Sequence, residues 1–159
     1  MSDPATDPAS TTNPAPEPTA DQVRVTLYEA VGGLPYFETV VDGFFDRVEG
    51  DPVVRKLYPD DLAESRRRTA LFLAQFWGGP TTYSDERGHP RLRARHLPFV
   101  IGQAERDGWV RHMMASIDAT ELPPSIFEAV RPMLENYIET AATAMINHSD
   151  DAPHPHVGA

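Results

Sequence analysis

The sequence contains no cysteine, and it has no apolar run of the length that a membrane span needs. The lack of cysteine excludes disulfide bonds, thiolate metal sites and cysteine nucleophiles, and it is compatible with a reducing cytosol. The first residues contain neither a basic start nor an apolar segment, so we expect no secretory signal. Together these absences predict a cytoplasmic protein without a membrane span.

Basic residues are few, because 14 Lys and Arg side chains stand against 24 Asp and Glu, giving a formal net charge of −10. An acidic surface of this kind argues against nucleic acid as the main partner. The chain has 159 residues, which suffice for one domain with a substantial core but not for two ordinary domains. We therefore expect one folded domain that does not bind nucleic acid.

Large apolar side chains are scarce at both ends of the chain. Residues 1–20 hold five prolines among Ala, Thr, Ser and Asp, and such a segment buries too little apolar surface to offset its ordering entropy. The last ten residues, DDAPHPHVGA, also look unstructured. The sequence therefore predicts a disordered tail over residues 1–21, a folded domain over residues 22–148 and a second disordered tail over residues 149–159.

Between the tails, apolar residues recur at helical spacing, and no stretch alternates as a strand would. The clearest stripe predicts a helix from Pro35 to Val48, with large apolar residues at offsets 0, 3, 4, 7, 8 and 11 from Phe37. Gly50 ends this helix, and Thr26 can cap a short helix before it. These features predict an all-α fold.

Three further helices follow from capping residues and spacing. Asp60 or Asp61 can cap a helix that runs through Trp77. The pattern is helical again from Ile101 to Ile117. The last predicted helix opens at Pro123-Pro124-Ser125 and its apolar spacing continues to Met145. Pro132 lies inside it and should cause a kink or a division.

The segment Arg87–Phe99, RGHPRLRARHLPF, has no acidic residue, although it holds four of the fourteen Lys and Arg residues and two of the six His. Pro90 biases His89 away from helix, so we interpret His89 as a turn residue and place His96 on a short helix beginning at Pro90. A neutral imidazole beside arginines could bind a metal whose larger ligand carries acid groups, as haem does with its iron and two propionates. A hydrogen-bonded structural histidine is the alternative, and it is the commoner role for a lone His near apolar residues.

Four motifs follow one another along the chain: LYEAVGG, then FF…RVEGDPVVRKLYPDDL, then FLAQFWGGPTTYSDERGHPRLRARHLPF, then ERDGWV. Their order and content resemble the group II, or O-type, truncated haemoglobins over about residues 26–147. The resemblance implies the truncated globin fold, which is a two-over-two helical sandwich, and reversible binding of O2 and other diatomic ligands such as CO and NO. It also implies a haem b that is held non-covalently, since there is no cysteine for attachment.

The resemblance places the haem ligand and its surroundings on particular residues. The iron ligand falls on His96, and the aromatic residues of the distal side, where a diatomic ligand binds, fall on Phe45, Tyr58 and Trp109. Further cofactor contacts fall on residues of the helix above the haem and on residues that face its propionates: Ser65, Arg68, Thr69, Phe72, Tyr83 and Arg95. Without the resemblance, the aromatic residues would be interpreted as core, and the arginine run 66–68 as a solvated face.

One position departs from the group II pattern. Most members have Tyr where this chain has Phe45, and Phe cannot donate a hydrogen bond. We therefore expect Trp109 to be the principal hydrogen-bond donor to O2, with Tyr58 and Thr69 as further donors. For the Thr69 hydroxyl, the alternative is a hydrogen bond to a carbonyl of its own helix.

Three functions are compatible with these residues. The first is reversible O2 binding, the second is NO detoxification or peroxidase-like catalysis at the same haem, and the third is a haem-free interaction domain with a globin fold. The first two share every site residue, and turnover would need an electron donor such as a reductase. The presence of His96 and of several distal donors argues against the third. The resemblance also implies a homodimer.

Overall fold

The computed structural model describes residues 25–149, and regular structure in this range is entirely helical, as predicted. The predicted tail 1–21, and residues 150–159 of the predicted second tail, lie outside the described residues. No helix in this range combines the length and apolar character that crossing a membrane requires. The eight helices of the range are α1 (Leu27–Ala30), α2 (Leu34–Val48), α3 (Pro52–Arg55), α4 (Ala63–Phe76), α5 (Thr82–Arg87), α6 (Leu92–His96), α7 (Gln103–Asp118) and α8 (Pro124–Met145).

Helix α2 forms the centre of the core. The predicted apolar stripe on it is fully buried and consists of Phe37, Val40, Val41, Phe44, Phe45 and Val48. Burying side chains of this size contributes about 1.5–3 kcal/mol each. Helix α2 packs against α4 and α7, and α7 packs against α8. The pair α2 and α4 therefore lies over the pair α7 and α8, which is the two-over-two sandwich of the truncated globin fold.

One predicted cap is present, and the other differs by one residue, since the N-cap of α4 is Leu62, which makes no side-chain cap hydrogen bond. The Thr26 hydroxyl accepts a hydrogen bond from the backbone N–H of Glu29 at 3.1 Å, at the start of α1. Neither Asp60 nor Asp61 occupies the N-cap of α4, but Asp61, one residue before it, accepts a hydrogen bond from the N–H of Ala63 at 2.9 Å. Both side chains satisfy N–H groups that the first turn of a helix leaves without partners.

Two details differ from the prediction. Helix α6 begins at Leu92 rather than at Pro90, because Arg91 adopts the left-handed region with φ of 42° and interrupts the helical backbone. Helix α8 is continuous through Pro132, so the alternative of a division is wrong. Pro132 and Glu128, whose carbonyl loses its usual donor, are both exposed, so water can take the place of the missing hydrogen bond.

Helix α1 lies close against the end of α4 because Gly78 and Gly79 have no side chains. The N–H of Tyr28 donates to the carbonyl of Trp77 at 3.0 Å. A Cβ atom on Gly79 would lie 2.6 Å from the ring of Tyr28 and 2.7 Å from the carbonyl oxygen of Ala74. Neither distance is compatible with a side chain, so this contact between α1 and α4 needs glycine.

We predict that Gly79→Ala lowers the free energy of unfolding by about 1–3 kcal/mol, because the methyl group must displace a ring or a backbone carbonyl. Thermal denaturation followed by circular dichroism measures the change. Gly50→Ala is the matched control, since the nearest atom to its Cβ lies 3.8 Å away, and it should change stability by less than about 0.5 kcal/mol. Equal melting temperatures for the two variants would contradict the close-packing argument.

Candidate functional site

A cavity of about 450 Å³ lies between α4, α6, α7 and α8, with α5 and the loop after α3 completing its wall. This volume is within the range of about 300–1,000 Å³ that is usual for sites of small molecules and cofactors. Nine of the ten residues predicted to contact a cofactor line the cavity: Tyr58, Ser65, Arg68, Thr69, Phe72, Tyr83, Arg95, His96 and Trp109. The structure therefore brings together predicted side chains from five separate parts of the chain.

His96 ends α6 and contributes its imidazole to the cavity wall. Its Nδ1 lies 2.6 Å from the carbonyl oxygen of Leu92, one turn earlier in the same helix. Because a carbonyl oxygen only accepts, Nδ1 must carry a proton, so the lone pair of the neutral imidazole is on Nε2. A neutral imidazole whose ring is oriented by such a hydrogen bond is the usual form of a metal-ligating histidine.

The competing histidine of the same segment, His89, is in a different setting. It is exposed, and its Nδ1 accepts a hydrogen bond from the backbone N–H of Arg91 at 3.1 Å. It does not line the cavity. This geometry agrees with the interpretation of His89 as a turn residue.

The polar part of the cavity wall is mainly basic. Four arginines line it, Arg68, Arg87, Arg95 and Arg106, against one carboxylate, Glu105. That carboxylate receives a hydrogen bond from Lys56 at 2.8 Å, which lowers the pKa of Glu105. A ligand with two acid groups would therefore meet a cationic wall in a chain whose net charge is −10.

Arg95 and Tyr83 are held next to each other on this wall. The guanidinium of Arg95 lies 5.9 Å from the centre of the Tyr83 ring, and it donates to the carbonyl of Arg87 at 2.8 Å. The Tyr83 ring in turn packs edge-on against Phe72. These contacts fix the direction of the guanidinium group before any ligand enters.

Tyr58 and Trp109 form a hydrogen-bonded pair on the cavity wall. Burial raises the pKa of Tyr58 to about 12, and a hydrogen bond from the Trp109 side chain partly offsets this effect. Because an indole N–H only donates, the phenolic oxygen of Tyr58 must accept it. The phenol stays protonated at neutral pH, so its own hydrogen remains available to a ligand.

The hydroxyl of Thr69 is used within its own helix. It donates to the carbonyl of Ser65 at 2.8 Å, which is the alternative that the sequence left open for this residue. Ser65, one turn earlier, is buried on the cavity side of α4. In this arrangement the N–H of Trp109 is used by Tyr58, so the phenol hydrogen of Tyr58 is the one that this pair leaves for a ligand.

Phe45 is the one predicted contact residue that does not line the cavity. Its side chain is fully buried, with its ring 5.0 Å from that of Tyr58 and 4.9 Å from that of Phe44. The guanidinium of Arg66 covers it at 5.7 Å from the ring centre. The Phe45 ring therefore packs against the Tyr58 ring and does not form part of the cavity wall.

Several wall residues were not singled out from the sequence. Helix α8 supplies Tyr137, Ala141 and Met145 at spacings of four. Their spacing predicts a helix but does not reveal this role, because a face toward a cavity and a face toward a core have the same periodicity. The sequence does not identify Arg106 as a wall residue, because it is an isolated charge near the start of a helix. Its side chain reaches across to donate to the hydroxyl of Thr143 at 3.1 Å.

The donor set of the cavity fits haem. Haem needs one neutral nitrogen ligand for its iron, cationic groups for two propionates and apolar walls around the ring. The wall offers Nε2 of His96 for the first, its four arginines for the second, and Phe72 and the α8 stripe for the third. The remaining polar pair, Tyr58 and Trp109, also lines the cavity and leaves the phenol hydrogen of Tyr58 for a small ligand.

Comparison with known proteins gives the family. Residues 26–144 match the family model described as bacterial-like globin. The group 2 truncated hemoglobin YjbI of Bacillus subtilis (strain 168) is 38% identical over 123 residues, which are 77% of this chain and 89% of that protein.

Solved structures agree with this relationship. The haemoglobin of the phototrophic bacterium Chloroflexus aurantiacus is 47% identical with a TM-score of 0.73, covering 79% of this chain and 100% of that one. The group II truncated haemoglobin of Bacillus anthracis is 35% identical with a TM-score of 0.74, covering 82% and 97%. The chain therefore belongs to the bacterial-like globin family and, within it, to the group II truncated haemoglobins, which bind diatomic ligands at haem.

Proposed function

We propose that this protein binds O2 reversibly at a haem b that is held non-covalently and ligated by His96. The observation that carries the proposal is the state of the imidazole on the cavity wall. The hydrogen bond from Nδ1 to the carbonyl of Leu92, 2.6 Å long, leaves Nε2 as the free Lewis base of the ring. No other histidine among residues 25–149 lines the cavity.

Haem with a single histidine ligand supplies an iron centre with one coordination position open to a diatomic ligand. The chain would hold the ring by burying it against Phe72 and the apolar stripe of α8. Arg68, Arg95 and Tyr83 would hold the propionates, with the guanidinium of Arg95 already oriented by the Arg87 carbonyl. These contacts would exclude water from the part of the cavity next to His96.

On the ligand side, we propose that Trp109 and Tyr58 act as a coupled pair of donors. O2 gains negative charge when it binds, so it is stabilised by N–H and O–H groups. The Trp109 N–H orients the phenol of Tyr58 in the ligand-free site. In this proposal a bound O2 takes that N–H over from the phenolic oxygen, and the phenol hydrogen of Tyr58 also turns to the ligand. Trp109 stays the principal donor in this proposal, since its only polar function is donation.

We predict that His96→Ala sharply lowers haem retention, because it removes the only protein ligand to the iron. The measurement is the absorption spectrum of the purified protein in the ferrous state, with and without CO. His89→Ala is the control, because His89 is exposed and outside the cavity, and it should keep the parental spectrum. A His96→Ala variant with the parental CO spectrum, together with loss of that spectrum in His89→Ala, would show that the ligand is misassigned.

We also predict that Trp109→Phe speeds the release of O2 several-fold and affects the release of CO less. One hydrogen bond contributes about 1 kcal/mol, and about 1.36 kcal/mol corresponds to a tenfold change in rate. Bound CO carries less negative charge, so it gains less from a donor. Stopped-flow dissociation of both gases from the haem-loaded proteins measures the two effects.

Two further variants sharpen this experiment. Trp77→Phe makes the same change at the other tryptophan, which does not line the cavity, and it should leave both release rates unchanged. Tyr58→Phe should also speed O2 release, because the phenol is the second member of the pair. If Trp109→Phe leaves O2 release unchanged while Tyr58→Phe speeds it, the phenol is the donor and Trp109 has only a packing role.

A further inference from the structure

The residues that follow α8 are hydrogen-bonded to His96 and to the segment after it, and Asn147 makes most of these hydrogen bonds. The side-chain Nδ2 of Asn147 donates to the carbonyl of Phe99 at 2.7 Å and to the carbonyl of His96 at 3.2 Å. Its Oδ1 accepts from the backbone N–H of Ile101 at 2.9 Å. One side chain thus bridges three residues that lie 46 to 51 positions earlier in the chain.

The carboxamide of Asn147 matches these three partners in only one orientation. Its two N–H groups face two carbonyls, and its oxygen faces an N–H. Turned over, the amide would set its oxygen against the carbonyls of His96 and Phe99 and its N–H groups against the N–H of Ile101. An aspartate could keep the bond to Ile101 but would lose both donors.

The segment after His96 depends on partners from elsewhere in the fold. Helix α6 has only five residues, so its last carbonyls have no partners within the helix. Pro98 has no N–H, and regular structure resumes only where α7 begins at Gln103. Without an external partner, the carbonyl end of α6 would be held mainly by the turn in which Phe99 N–H donates to the carbonyl of His96 at 3.0 Å.

Two backbone hydrogen bonds and one side-chain hydrogen bond add to the contacts of the Asn147 side chain. The N–H groups of Asn147 and His148 both donate to the carbonyl of Ile101, at 2.9 and 3.1 Å. Near the other end of α6, the guanidinium of Arg93 donates to the carbonyl of Ala144 at 2.7 Å. The end of α8 therefore holds α6 on both sides of His96.

We propose that Asn147 is a positioning residue for His96: it fixes the carbonyl of His96 and the turn after it, and thereby the direction in which the imidazole meets the iron of bound haem. This inference rests on the proposed function, in which His96 ligates haem. The hydrogen bond between Nδ1 and Leu92 sets the rotation of the ring within α6. Asn147 sets the position of α6 itself relative to α8, whose Tyr137, Ala141 and Met145 form part of the cavity wall.

The test compares Asn147→Ala, Asn147→Asp and Asn136→Ala in the full chain loaded with haem. Asn136 lies exposed on α8, so the same replacement there controls for the loss of a polar side chain. The first readout is the iron–histidine stretching band of the ferrous, ligand-free protein in resonance Raman spectra. The second is the rate of haem transfer to an excess of apomyoglobin, and circular dichroism of each haem-free variant reports whether it folds.

We expect Asn147→Ala to shift or broaden the iron–histidine band and to speed haem transfer several-fold. Asn147→Asp should behave in the same way, since it lacks the donors to His96 and Phe99, and as the milder change it provides the spectrum if the alanine variant does not fold. Asn136→Ala should match the parental protein in both readouts.

A parental iron–histidine band in both Asn147 variants would overturn the inference, even if their melting temperatures fall, because Asn147 would then contribute only to stability. His96→Ala separates this failure from that of the proposed function. If the band is lost in His96→Ala but unchanged in the Asn147 variants, His96 is the ligand and Asn147 does not position it. If the parental protein shows no such band, the proposed function fails and this inference fails with it.

Discussion

The hydrogen bond from His96 Nδ1 to the Leu92 carbonyl decides which nitrogen of the imidazole is free and which way the ring faces. It is a local bond across one turn, yet it forms in a helix of only five residues, too short to be stable by itself. The helix persists because the end of α8 and the residues after it hold it in place. Arg93 of α6 donates to the carbonyl of Ala144, and Asn147 donates to the carbonyl of Phe99. The chemistry of one nitrogen atom therefore depends on the packing of a helix some fifty residues away.

A cavity of this size has to be supported by a core that lies elsewhere. Helix α2 provides that core, since its apolar stripe is fully buried against α4 and α7. Helices α4 and α7 use one face for this packing and leave another, which carries Thr69 and Trp109, on the cavity wall. Stability and ligand binding are thus divided between two faces of the same helices, and the polar groups of the site lie away from the apolar stripe of α2.

Much of the fold follows from the sequence because its causes are local. The stripe of α2 and the cap at Thr26 are patterns of a few residues that the structure confirms. The site is harder to predict from the sequence, because periodicity does not distinguish a cavity wall from a core. Most of its residues are predicted only by the resemblance to a known family. Phe45 illustrates the limit, since its ring packs against that of Tyr58 and does not line the cavity. Asn147 gave no signal, because its partners are set by tertiary structure.

The central claim is that the cavity binds haem non-covalently through a single histidine and leaves the iron open to diatomic ligands. The most direct measurement is the absorption spectrum of the purified protein after reduction, before and after addition of CO, followed by extraction with acidified acetone. The account predicts a Soret band that shifts when CO binds and a haem that passes entirely into the organic phase. A protein that shows no Soret band even after haem is added, or one that retains haem in the extracted pellet, would contradict it.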